Sequence, residues 1–160
     1  MAIYVKMGNI EGNVTAKGYE KHIEFLTAGF GNTRHVSMSV GSGKEREVDR
    51  PQLQEIALVK EADRATPYLF HEACAGKAID KVEINFVKTS NDATETYMQY
   101  VLSNVLVSGY SAAGGSDSDP TEQIILAYTK FELKYHPRKK DNTLDSAIPA
   151  GYDLDQAKKI

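Results

Sequence analysis

Residues 96–135 limit the fold more than any other part of the sequence. Two long runs, 96–110 and 122–135, are rich in Tyr, Val, Leu and Ile, and SAAGGSDSDPTE lies between them. That cluster of Gly, Ser, Asp and Pro is typical of a loop. The pattern predicts two long β-strands joined as a hairpin, each with apolar residues on both faces where its apolar run is densest.

Shorter segments add further strands and a single helix. Residues 2–7 and 81–88 alternate with the period of a strand, and residues 54–60 carry Ile56 and Leu58 on one face and Ala57 and Val59 on the other. The alternation slips by one residue between Phe25 and Leu26, which predicts a bend or bulge there. The helix is predicted over residues 66–75, with Thr66 as N-cap, Pro67 in the first turn and Gly76 at its C-terminal end. The residues therefore indicate a mainly β domain with one short helix.

Size and charge restrict the class of protein. A chain of 160 residues predicts a single domain, 1–160, in which residues 137–160 form a polar C-terminal extension that could leave the fold as a tail. The net charge of −3 argues against a nucleic-acid surface. A lone cysteine, Cys74, suits a reducing cytoplasm, and no secretory signal or membrane span is recognisable. We expect Cys74 to be buried on the apolar stripe of the helix.

No pattern in the chain assembles a catalytic or cofactor site. GSGK in the 36–47 stretch resembles a phosphate-binding loop, but Met38 stands where the first glycine is needed and Glu45 where the hydroxyl residue is needed. The four histidines lack the spacing of zinc ligands. Asp117 and Asp119 lie together in the loop between the long strands, where nothing would separate their pKa values. We therefore expect no enzyme activity, no cofactor and no metal.

The apolar faces of the second long strand need to be covered. Ile124, Leu126 and Tyr128 share one face, and Ile125 and Ala127 share the other. One helix of about 15 Å is too short to cover both long strands. We predict that a neighbouring subunit covers Ile124, Leu126 and Tyr128; the alternative is a cover from the C-terminal segment or the first strand of the same chain.

Six segments in order resemble the haemolysin-coregulated protein (Hcp) family, the tube subunits of type VI secretion systems. The most extensive is NVLVSGYSAAGGSDSDPTEQIILAYTKFELKYHP, and the others are MAIYVKMGNIEG, KGYEKHIEFLTAGFG, ATPYLFHEACAGKAI, KVEINFVKT and AGYDLDQAKKI. The resemblance covers essentially the whole chain. It implies a β-barrel of two packed, mostly antiparallel sheets with one flanking helix at 66–75.

The resemblance also implies a function and partners. Six copies would form a homohexameric ring with sheets joined across subunits, and rings would stack into a hollow tube. A contractile sheath would expel the tube and its spike protein from the bacterial cytoplasm, with effector proteins in the lumen and without a signal peptide. No nucleic acid and no membrane insertion are expected.

Two groups of residues take roles from the resemblance. The loop that would contact the next ring comprises Gly41, Ser42, Gly43, Lys44, Glu45, Arg46 and Glu47. Thr27 and Gly29 would face the lumen if Ala28 and Phe30 point into the core. Two other functions stay open, namely a monomeric β-barrel that binds a small ligand and a protein like a phage tail tube.

Overall fold

The chain folds into strands and a short helix, in agreement with the predicted mainly β class. The computed structural model describes residues 1–37, 48–90 and 92–160. The helix in this part of the chain is α1 (Thr66–Ala75). The strands are β1 (Ala2–Met7), β2 (Ile23–Phe25), β3 (Thr27–Gly29), β4 (Asn32–Thr33), β5 (Gln52–Leu53), β6 (Ile56–Glu61), β7 (Ile79–Ser90), β8 (Ala93–Gly115), β9 (Ser118–Ala127), β10 (Lys130–Tyr135), β11 (Ile148–Asp153) and β12 (Lys158–Lys159).

Two antiparallel sheets share the long strand β8. Sheet A has the order β12-β11-β10-β8-β7-β1-β2, and sheet B has the order β3-β6-β9-β8. Residues 93–105 of β8 pair in sheet A, whereas residues 106–115 pair with β9 in sheet B. The chain also passes from sheet A to sheet B between β2 and β3. The result is barrel-like, although hydrogen bonds among residues 1–37, 48–90 and 92–160 do not close it. This architecture confirms the expected fold class.

Alternating side chains of both sheets build the core. Ile3, Val5 and Met7 of β1 are buried, while Lys6 between them is exposed. Leu58 and Leu126 of sheet B are also fully buried and pack into the same cluster. Burial of one such side chain contributes about 1.5–3 kcal/mol, so the two sheets hold each other in place.

The bend predicted after Phe25 is confirmed. Phe25 ends β2 opposite Ile3 of sheet A, whereas Thr27 begins β3 opposite Val59 of sheet B. Leu26 lies at the bend, and its backbone N–H donates to the Val59 carbonyl at 2.7 Å. The slip in alternation therefore marks the point where the chain changes sheets.

The second long run is two strands, not one. β9 ends at Ala127, β10 starts at Lys130, and the Thr129 N–H donates to the Ser103 carbonyl at 3.2 Å. The break allows β9 to pair with the second half of β8 and β10 to pair with the first half. The predicted hairpin is present, but its loop is shorter than expected, since β8 and β9 leave only residues 116–117 between them.

Helix α1 has the predicted bounds, but its start and one of its side chains differ from expectation. The N-cap is Ala65, not Thr66; the Thr66 hydroxyl instead accepts a hydrogen bond from the Asp63 N–H at 3.0 Å. Gly76 ends the helix in the left-handed conformation, at φ 62°, as predicted. Cys74 is exposed, so the expectation that it is buried is wrong, because Leu69 alone of the helix is buried in the core.

The C-terminal residues return to the fold. The possibility that residues 137–160 form a tail is wrong, because β11 pairs along the whole of β10 and β12 then pairs with β11. The pairing extends sheet A by two strands. In residues 1–37, 48–90 and 92–160, no helix is long and apolar enough to cross a membrane.

Candidate assembly surfaces

Thr27 and Gly29 lie on the side of β3 that turns away from the core. Both residues are exposed, whereas Ala28 and the following Phe30 pack against the core. The ring of Phe30 stacks on Phe131 with centroids 4.1 Å apart. The structure thus gives these four positions the inward and outward directions expected from the sequence.

The register of sheet B defines the surface to which Thr27 and Gly29 belong. Gly29 lies opposite Ala57, which lies opposite Ile125, and Ile125 lies opposite Gly109. We call this surface the outer face of sheet B. Its members are Thr27, Gly29, Ala57, Val59, Glu61, Leu106, Gly109, Ser111, Ala113, Thr121, Gln123, Ile125 and Ala127.

The outer face of sheet B is built mostly from small or uncharged side chains. Glu61 is the single ionisable residue in the set, and there is no aromatic ring. A Cβ placed on Gly29 would lie 3.8 Å from the Ala57 carbonyl oxygen, which is an ordinary contact. Ile125 leans over Gly109, where an added Cβ would lie 3.1 Å from the Ile125 Cδ1 atom. The face therefore has free space at Gly29 but not at Gly109.

Ile124, Leu126 and Tyr128 do not belong to that surface. Ile124 and Leu126 are fully buried in the core of the single chain, and Tyr128 is 9% exposed. The Tyr128 hydroxyl donates to the Gln54 carbonyl oxygen at 2.6 Å. The prediction that a neighbouring subunit covers these side chains is therefore wrong, since they have almost no surface left to bury. The outward residues of β9 are those of the other face, including Ile125 and Ala127.

Sheet B has an unpaired strand edge at each end. In the described part of the chain, β3 pairs with β6 alone, and residues 106–115 of β8 pair with β9 alone. Unpaired N–H and C=O groups along such an edge can pair with a strand of another chain. The two edges are at opposite ends of the sheet order, so they are different surfaces.

The hairpin of β8 and β9 projects from the barrel. All residues from 111 to 121 are exposed, and we call this segment the ribbon. The register of the hairpin shifts between Val107 and Gly109 and again between Ala113 and Gly115. Such irregularities bend and twist a strand pair, so the direction of the ribbon depends on the residues at its base.

A buried group of charges lies at the base of the ribbon. Lys60 of β6 is fully buried, and its Nζ atom contacts Glu122 Oε2, Asp63 Oδ1 and the Glu61 carbonyl oxygen, each at 2.8 Å. The other Glu122 oxygen accepts a hydrogen bond from the Tyr110 hydroxyl at 2.6 Å. We call Lys60, Asp63, Tyr110 and Glu122 the ion cluster. Glu122, Asp63 and the Glu61 carbonyl together can satisfy all three protons of the lysine.

The ion cluster changes how its members titrate. Burial pushes the pKa of the Glu122 carboxyl up, but the hydrogen bonds from Lys60 and Tyr110 outweigh burial and hold that pKa below its usual value. Burial, with the hydrogen bond to the Glu122 carboxylate, raises the pKa of Tyr110 to about 12. Glu122 is thus charged and Tyr110 neutral at neutral pH.

The ion cluster was not predicted from the sequence, although a signal was present. Lys60 continues the inward alternation of Ile56 and Leu58, and Glu122 continues that of Ile124. Lys60 and Glu122 are also directly opposite each other in the register of β6 and β9. The register between two strands distant in sequence was needed to pair them.

The loop of residues 41–47, predicted to contact the next ring, lies outside the described residues. Residues 36 and 48 on either side of it form an isolated antiparallel bridge.

Over residues 1–37, 48–90 and 92–160, no group of three or more His, Cys, Asp or Glu side chains is placed to hold a metal ion. A surface pocket of about 530 Å³ lies beside α1, and half of its lining residues are charged, among them Lys6, Glu72 and Lys77.

These features define a barrel-like β protein whose second sheet, within the described residues, is open at both ends, a shape suited to association with further chains. The model of the family described as "Type VI secretion system effector, Hcp" matches residues 4–135. The chain therefore belongs to the Hcp family of type VI secretion systems, as the sequence resemblance indicated. Membership makes it a tube protein of that secretion system, a structural and secreted class.

Individual relatives agree over nearly the whole length. The chain is 25% identical to protein hcp1 of Pseudomonas aeruginosa over 156 residues. This alignment covers 96% of this chain and 95% of the relative. A solved structure of a type six secretion system protein has a TM-score of 0.90 at 25% identity, with 99% of both chains covered. Hcp1 from Salmonella typhimurium has the same fold, with a TM-score of 0.77 at 22% identity over 99% of this chain and 98% of the relative.

Proposed function

We propose that this chain is the repeating subunit of a type VI secretion tube. Six copies form a closed ring, rings stack into a hollow tube, and a contractile sheath expels the tube behind a spike protein. Effector proteins travel bound in the lumen. The chain is made in the bacterial cytoplasm and leaves the cell through this route. The proposal assigns it no catalytic role.

The open edges of sheet B are the observation that carries the proposal. The edge of residues 106–115 on one copy joins the β3 side of the next copy, so that sheet B continues from chain to chain. Because the two edges differ, the contact is head-to-tail, and such a contact gives a ring when the rotation between copies closes. Along residues 106–115 the backbone groups that point away from β9 offer both hydrogen bonds and a fixed direction.

The outer face of sheet B lines the lumen of that ring. Thr27 and Gly29 lie on this face, and their small size leaves room for a bound protein. The face carries one ionisable residue, Glu61, in a chain where charged residues make up 26%. A nearly neutral surface suits cargo of varied charge, because no single sign of charge is repelled.

The loop of residues 41–47 contacts the next ring. Its support is the family resemblance together with its composition, since Gly41 and Gly43 permit close backbone approach and residues 44–47 alternate positive and negative charges. Polar contacts of this kind are reversible. Rings can then exist separately before a tube is built.

Native mass spectrometry with negative-stain images of the purified chain tests the proposal. Six chains of 17.7 kDa give a closed ring of about 106 kDa, and annular particles of that mass are the expected result. A stable monomer of 17.7 kDa at high concentration, without rings, would instead favour a barrel that acts alone on a small ligand.

A further inference from the structure

The ion cluster is an unusual way to fill the base of a hairpin. Lys60 and Glu122 are 0% and 2% exposed, and they lie where the neighbouring inward positions are the apolar residues Leu58 and Ile124. Burial of an ion pair carries a large desolvation penalty, and apolar side chains of similar size often give equal or greater stability. Stability alone therefore does not explain why charges occupy these positions.

The contacts of the cluster join four separate segments. Lys60 is in β6, Asp63 is in the turn before α1, Tyr110 is near the end of the buried part of β8, and Glu122 is the first inward residue of β9 after the ribbon. The Ala62 N–H also donates to the Pro120 carbonyl oxygen at 2.9 Å. Both strands of the ribbon are thus tied to the turn before α1 at the point where they leave the core.

Hydrogen bonds to charged groups are directional, whereas apolar contacts are not. The ribbon needs such a restraint, because a two-stranded hairpin in water is marginally stable and its own residues 111–121 are all exposed. Without that restraint, the register shifts on either side of Tyr110 would leave the angle of the ribbon free to vary. The cluster supplies the restraint between those two irregular points.

We propose that Lys60 and Glu122 are positioning residues, which hold the ribbon at the angle at which the open edge of β8 meets the next copy. This inference rests on the proposed ring. Its partner is a second copy of this chain, and its effect is on association more than on the stability of the single subunit.

The double variant Lys60→Met with Glu122→Gln tests the inference. Met fills most of the lysine volume, and Gln can still accept the Tyr110 hydroxyl hydrogen, so neither of the two fully buried positions keeps a charge. Asp63 loses its cation, but its side chain is 12% exposed to water. Asp63 keeps the Ala65 N–H, which donates to it at 2.8 Å. The matched control is Lys81→Met with Glu83→Gln, which removes an ion pair of the same residue types on β7 where Lys81 is 59% exposed.

Three quantities are measured for the parent, the double variant and the control: the melting temperature, amide hydrogen exchange of residues 111–121, and the chain concentration at which half of the protein is in rings. We expect the double variant to melt within about 4 °C of the parent. Its ribbon amides exchange faster, and the concentration for half assembly rises by about tenfold or more. The control keeps the parent values of all three.

Two results would overturn the inference. Rings that form at the parent concentration despite faster exchange in the ribbon would show that the angle of the ribbon is not needed for closure. Loss of rings together with a large fall in melting temperature would show that the cluster acts through overall stability. If the parent itself forms no rings, the proposed function fails, and exchange in the ribbon of the single subunit still decides whether the cluster restrains it.

Discussion

The free energy of unfolding of the subunit should depend on pH through Glu122. Its carboxyl has a folded pKa below the usual value of 4.5, so its contribution to stability is complete above about pH 4.5 and is lost as pH falls through the lower folded value. Glu122→Gln should lower the free energy of unfolding by about 1.5–3 kcal/mol at pH 7, because it weakens hydrogen bonds to a charged group while Lys60 keeps Asp63 as its partner, and by less at pH 3. Urea unfolding at both pH values measures this, with Glu61→Gln on the exposed side of the same sheet as control. An equal loss at both pH values would contradict the lowered pKa of Glu122 as the cause.

Gly29 tests the surface that is proposed to face the lumen. Gly29→Gln adds a flexible polar side chain where a Cβ meets only the Ala57 carbonyl oxygen at 3.8 Å, so the fold and the ring should persist. We expect effector capture by the ring to fall by about tenfold or more, equal to 1.4 kcal/mol. Pull-down of a co-expressed effector measures capture, and native mass measures the ring. The control Gln52→Gly on β5 should change neither, and full effector capture by the Gly29 variant would place the cargo elsewhere.

At the scale of an element, the open edge of β8 can be tested with proline. Successive residues of a strand direct their N–H groups to opposite sides, so of Ser111 and Ala112 one points towards β9 and the other towards the open edge. Proline removes that N–H and is tolerated where the group faces solvent. Of Ser111→Pro and Ala112→Pro, the variant that loses an N–H directed at β9 should have a lower melting temperature. The variant that loses an N–H directed at the open edge should keep the parent melting temperature and form no rings. Rings in both variants would mean that this edge is not used for assembly.

The strands and the helix could be predicted because their signals are local. The bounds of β1 and α1 follow from alternation and from Pro67 and Gly76, and the bend follows from the slip at Leu26. The direction of β9 could not be predicted, because Ile124 and Ile125 are equally apolar and the sequence does not state which one meets the opposite sheet. Packing between β6 and β9, strands some 60 residues apart in the chain, decides it.

The same limit explains why the ion cluster was missed. A lysine in a strand is usually exposed, and only the register that sets Lys60 opposite Glu122 shows that each neutralises the other. The break at Thr129 could not be predicted for a related reason. It separates β9, which pairs with the second half of β8, from β10, which pairs with the first half. Signals that depend on pairing between distant segments need the folded chain.

At the scale of the whole molecule, ring closure and ring stacking should be separable. Ring closure is assigned to the edges of sheet B and stacking to residues 41–47, so a deletion of these seven residues should keep the ring of about 106 kDa and prevent tubes. The deletion is compatible with the fold because Val36 and Val48 bridge each other, and residues 37–40 would then close a hairpin of ordinary loop length.

Tube length in electron micrographs, taken under crowding conditions that stack the parent rings, measures the effect of the deletion. A second variant that replaces residues 44–47 by Ser keeps the loop length and removes its charges. It therefore separates the role of the charges from the role of the loop length. Short stacks with intact rings in both variants would assign stacking to the charges. Tubes of parent length in the deletion would refute the stacking role, because the subunit would then associate axially through the barrel itself.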